Sequence, residues 1–119
     1  MMNLEFAREF ADEWVAAWNE HDLERVLSHY SDGFVLATPL IKKIAGEPSG
    51  VLTGKAAIRP YWRRALELVP DLHLKLLYVT AGIDMVAVCY ETVGNRIAIE
   101  NFLFDADGKV CRSTVCYNA

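Results

Sequence analysis

The 119 residues are 53% apolar, enough to close the core of one domain spanning residues 1–119 without a disulfide framework. Twelve Lys and Arg against sixteen Asp and Glu give a net charge of −4, which offers no clustered cations for nucleic acid. The opening MMNLEFAREF is charged and amphipathic rather than a secretory leader, and no stretch approaches the ~20 apolar residues of a membrane span, so the expected setting is cytoplasmic, away from membranes.

From Leu4 to Asn19, Phe6, Phe10, Ala11, Trp14, Val15 and Trp18 recur at three- and four-residue steps, which predicts an amphipathic helix. Asp22 is placed to cap a short second helix running to Tyr30, with Leu23, Val26, Leu27 and Tyr30 on one side and Ser31-Asp32-Gly33 breaking it. Phe34 to Thr38 reads as a strand stopped by Pro39. Leu40 to Gly50 reads as a loop; Leu40, Ile41 and Ile44 are too apolar for a solvated tip, so a lid or an interface is expected.

A third helix is predicted after Thr53-Gly54, ending near Val69, with Ile58, Tyr61, Trp62, Ala65, Leu66 and Val69 on its buried side. Pro60 removes a backbone donor, so the regular helix either begins near it or bends there. After Pro70, Leu72–Thr80, Met85–Val93, Arg96–Phe104 and Val110–Tyr117 are strand-like and separated by short turns at Ala81-Gly82, Gly94-Asn95 and Asp107-Gly108. Helices first and hairpins afterwards predict a segregated α+β fold.

Strand alternation places Ala98, Glu100, Phe102 and Phe104 on one face, so Glu100 is expected to be desolvated and its pKa raised. A carboxylic acid so placed can donate to a substrate carbonyl and then act as a base; alternatively Glu100 pairs with Arg96 or Arg112. The opposite face carries Ile97, Ile99, Asn101 and Leu103, too apolar for water, and a homodimer through this outer face is expected. Tyr90 and Glu91 alternate, and which of them points inward is open; Glu91 inward would make a second carboxylate.

His21, His29 and His73 have no metal-ligand spacing, and Cys89, Cys111 and Cys116 lack a C-x-x-C pair and are expected as small buried residues. No cofactor or metal is expected. Lys42, Lys43, Arg59, Arg63 and Arg64 fall on the loop and third helix, where a solvated face is expected.

The corner N-E-H-D-L-E-R-V-L-S-H-Y, the segment G-V-L-T-G-K-A-A-I leading into a helix, and the final strands with F-D-A-D-G-K-V together resemble the nuclear transport factor 2-like superfamily, in particular its SnoaL-like branch. The resemblance covers nearly the whole chain. It implies a cone-shaped, cystatin-like fold in which a curved antiparallel β-sheet wraps around three N-terminal helices and leaves a blind aromatic cavity for a small hydrophobic molecule. Such folds include ketosteroid isomerases, polyketide cyclases, dehydratases and non-catalytic binding or dimerisation domains.

By this resemblance Trp14 falls where steroid isomerases carry an oxyanion-hole tyrosine, Tyr30 and Trp62 match pocket aromatics, Glu100 matches a protonated aspartic acid and Tyr117 matches a pocket tryptophan. Thr38 falls where their general-base aspartate stands, and a hydroxyl of high pKa cannot replace it. The expected ligand-binding set is Trp14, Trp18, Tyr30, Thr38, Trp62, Tyr90, Phe102 and Tyr117, with Glu100 catalytic. Two readings stay open: a cofactor-independent isomerase, cyclase or dehydratase, or a non-catalytic binding or dimerisation domain.

Overall fold

In the computed structural model, which describes residues 2–118, helix α1 (Leu4–Asn19) opens on Asn3, whose side chain accepts from the Phe6 N–H at 2.7 Å. Its apolar stripe, including Phe10, Trp14 and Trp18, is buried, and each large buried side chain contributes about 2 to 3 kcal/mol. The helix ends in a corner at His21, which takes a left-handed backbone, φ 57°. Two clamps fix this end to the start of the sheet. The Asn19 amide brackets the Leu74 backbone at 2.9 and 2.7 Å, and His21 Nε2 donates to the Leu72 carbonyl at 2.8 Å.

Asp22 caps α2 (Leu23–Leu27) by accepting from the Arg25 N–H. The helix stops short of Tyr30, which instead opens strand β1 (Tyr30–Ala37). The physical reason is competition for backbone groups: the His29 carbonyl accepts from the Val110 N–H at 2.9 Å, drawing the chain into the sheet. Ser31-Asp32-Gly33, expected to break structure, occupies a register irregularity within β1.

The segment expected as a loop contains α3 (Pro39–Ile44). Thr38 caps it and Pro39 sits in its first turn, where a missing N–H leaves no bond unmade, so the residue that ends β1 also starts a helix. Strand β2 (Val51–Thr53), not anticipated, pairs with β1. Helix α4 (Lys55–Leu68) continues through the exposed Pro60 rather than beginning at it.

Strands β3 (Lys75–Ala81), β4 (Met85–Thr92), β5 (Arg96–Phe104) and β6 (Val110–Tyr117) form the expected antiparallel meander. The sheet order is β2-β1-β6-β5-β4-β3, and the β1–β6 pair is parallel, so the six-stranded sheet is mixed. Helix α1 packs against it through aromatic edges: the Phe102 ring lies 4.9 Å from Phe10 and 5.1 Å from Trp14.

Candidate functional site

Glu100 is only 4% exposed, and its neighbours on the same face of β5, Ala98, Phe102 and Phe104, are buried as strand alternation predicts. It stands opposite Val88 on β4 and Val115 on β6. Tyr90 and Ser113 are each two residues from those partners, hence on the same face, diagonal to Glu100. The Tyr90 hydroxyl donates to Oε1 at 2.8 Å and the Ser113 hydroxyl to Oε2 at 2.7 Å.

Burial pushes the Glu100 carboxyl up to about 7, against the opposing pull of the Ser113 and Tyr90 hydrogen bonds. Both partners are hydroxyls, which can donate to a carboxylate or accept from a carboxylic acid, so either protonation state can be satisfied in place. The expected arginine partners are elsewhere. Arg96 and Arg112 are exposed, and the Arg96 guanidinium lies over the Tyr117 ring, 4.6 Å from its centre.

The phenols around Glu100 are held protonated. Burial first, and the Glu100 charge second, raise Tyr90 and Tyr30 well above the usual tyrosine range and push Tyr117 up to about 12. Tyr90 points inward and is buried, which sends Glu91 to the other face of β4; among the described residues no second carboxylate joins Glu100.

A cavity of about 780 Å³ lies beside this carboxyl, within the range of small-molecule sites. Trp14, Trp18, Thr38, Trp62, Tyr90, Glu100 and Tyr117 line it. Tyr30 and Phe102 do not. The Tyr30 hydroxyl sits behind the wall, accepting from Trp14 Nε1 at 2.9 Å, which uses up the one donor Trp14 could have turned to a ligand; Phe102 is sealed in the core. Thr38 is buried and its hydroxyl accepts from the Leu40 N–H at 3.3 Å, capping α3. Trp18 Nε1 is buried without a hydrogen-bond partner among the described residues.

Sequence reasoning missed Ser113, the part played by α3, and Tyr61, which lines the cavity from α4. Ser113 carries no signal in the chain itself, because only the β5–β6 register brings it to Glu100. Leu40, Lys43 and Ile44 line the cavity, so the apolar residues that argued against a solvated loop have their explanation. The histidines lie outside the lining: His21 is tied to Leu72, and His29 meets Glu13, whose carboxyl is held low chiefly by its hydrogen bonds from Arg25. The cysteines are not buried as expected; Cys89 and Cys111 are half-buried and Cys116 is exposed.

Residues 11–117 match the family model of the SnoaL-like domain. The chain belongs to the SnoaL-like family. Its place in the nuclear transport factor 2-like superfamily follows, in agreement with the resemblance read from the corner and turn motifs. A SnoaL-like protein of unknown function from Burkholderia thailandensis is 45% identical over 98% of each chain, with a TM-score of 0.95. Two more distant structures share the fold. One is SalBIII, an epoxide hydrolase/cyclase-like enzyme of pyran ring formation in salinomycin (18% identity, 99% of this chain and 95% of that one, TM-score 0.73). The other is IdmH from Streptomyces antibioticus, described as a candidate polyketide cyclase (15% identity, 94% and 91%, TM-score 0.76). No curated protein matches the sequence significantly. In this SnoaL-like chain, no helix among the described residues is long and apolar enough to cross a membrane.

Proposed function

We propose that this SnoaL-like protein binds a small hydrophobic carbonyl compound in the aromatic cavity and moves a proton on it without a cofactor, in an isomerase-, cyclase- or dehydratase-type reaction. The observation that carries this reading is Glu100: a carboxyl buried beside a cavity, pushed up to about 7 by that burial, with hydroxyl partners that tolerate both of its forms. A group poised near neutral pH is best matched to proton transfer. Starting as the carboxylate, Glu100 takes a proton from carbon and, now the acid, returns it at another position, so the protein ends as it began.

Each carboxyl oxygen accepts one hydroxyl bond, leaving a lone pair on each for the substrate. Trp14, Trp18 and Trp62 supply flat apolar walls, and Tyr117 supplies a donor that stays protonated, since the Tyr90 hydroxyl is already spent on Glu100. The likeness in fold to SalBIII and IdmH supports a cyclase-like chemistry.

The test is elimination on nitrobenzisoxazole, in which a base removes a carbon-bound proton as the N–O bond breaks to release a coloured phenolate. Turnover is expected to rise with a midpoint near pH 7 and to vanish in Glu100→Gln. A wild-type rate no greater than that of free acetate, or one indifferent to the substitution, removes Glu100 from the mechanism.

A second reading, a non-catalytic binding or dimerisation domain, is favoured by Thr38, a capping hydroxyl where a base aspartate would stand, and by the outer sheet face. There Ile99 is 43% exposed, in register between Cys89 and Cys116. A second copy of the chain packed on this row is the occupant that such an apolar face fits.

A further inference from the structure

The cavity is lined by four charged residues among those described: Glu100, buried, and Lys43, Arg64 and Arg96, all exposed. The three cations come from separate elements, α3, α4 and the start of β5, yet all line the same cavity. The β4–β5 turn brings Arg96 there, through Gly94 and Asn95 in left-handed conformations, φ 71° and 58°. None of the three forms an ion pair with a described residue. The ion pairs of lysine and arginine among the described residues join Arg25 to Glu13 and Glu20, Lys55 to Asp32, and Arg59 to Glu24.

In a chain of net charge −4, three exposed cations lining one cavity, where the buried Glu100 is the one acid among the described lining residues, are a local reversal of sign. Low-dielectric aromatic walls focus that field into the cavity. The Arg96 guanidinium lies over the Tyr117 ring, and its N–H groups make no hydrogen bond to another described residue, which leaves them for an anion.

We propose that the ligand is an anionic amphiphile: an apolar ring system that fills the aromatic cavity with its uncharged end toward Glu100, and a single anionic group held at the mouth by Lys43, Arg64 and Arg96. This rests on the cavity being the binding site, as in the function proposed above, and adds the charge and orientation of what enters. An anion at the mouth also keeps its charge away from the Glu100 carboxyl, where it would oppose ionisation.

The test compares two fluorescent probes that share one ring system, anilinonaphthalene sulfonate and its uncharged parent phenylnaphthylamine, titrated into the wild-type protein and into the combined variant Lys43→Gln, Arg64→Gln, Arg96→Gln. The sulfonate is expected to bind about tenfold more tightly than the parent, as one charge-assisted contact provides. The variant should bring the two affinities together, and added salt should weaken only the sulfonate in the wild type. The wild-type salt series does not depend on how well the variant folds. Equal affinities in the wild type, insensitive to salt, overturn the anionic assignment while leaving the cavity as a binding site. Saturable binding of neither probe overturns the cavity reading and this inference with it.

Discussion

Tyr90 and Glu100 lie diagonally across neighbouring strands, and the phenol donates to the carboxyl Oε1 over 2.8 Å inside the protein. With Ser113 on the other side, it is what prevents burial from raising the carboxyl still further.

Removing that donor should therefore shift the titration upward. Tyr90→Phe is expected to raise the Glu100 pKa by about one unit, the equivalent of one hydrogen bond to a charged group. A pH profile of nitrobenzisoxazole elimination, or NMR titration of the labelled carboxyl carbon, reads the shift. A midpoint unchanged from wild type would show that the bond does not act on the ionised form.

Glu100 also makes stability depend on pH, with a defined sign. Its carboxyl ionises near 4.5 in the unfolded chain and at about 7 in the folded one. Between these values the folded chain holds the extra proton, so stability falls as pH rises from 4.5 through 7 and is level above, a loss of roughly 3 kcal/mol. Glu100→Gln should flatten this slope. Urea midpoints of both proteins at mildly acidic and mildly alkaline pH check it, and equal slopes would contradict the buried titration.

Trp14 and Trp18 are one helical turn apart, but only Trp14 has a partner for its indole N–H, the Tyr30 hydroxyl. Trp14→Phe should cost about 1 to 2 kcal/mol more than Trp18→Phe, because it breaks a buried hydrogen bond and the other substitution removes an unpaired donor. Denaturant unfolding of the two variants measures the difference. Equal losses would mean that the Trp14–Tyr30 bond contributes nothing net.

Ile99 tests the outer face. If a second copy covers it, Ile99→Lys places an unpaired charge in the contact, and light scattering should report two chains for the wild type and one for the variant. A wild type already at one chain refutes the dimer.

The meander after Pro70 was legible because period-two alternation and short turns are local signals; β5 and β6 run over the predicted Arg96–Phe104 and Val110–Tyr117. So was the buried face of Glu100, which follows from alternation within one strand. The helix at Pro39–Ile44 and the strand at Val51–Thr53 were not, being too short to display a period and lying among Gly and Pro. Tyr30 was read as helical because its spacing from Val26 and Leu27 suits a helix, but pairing with β6, distant in sequence, drew it into the sheet.

By itself the sequence determined the order of helices before hairpins, the inward face of β5 and the presence of one acidic side chain among aromatics, since each depends on neighbours a few residues apart. Only the tertiary structure decided which partners meet that acid, and which aromatics and which cations border the cavity. Those depend on strand register and on the return of β1 alongside β6, which join residues such as Glu100, Tyr90 and Ser113 through pairings that no local pattern specifies.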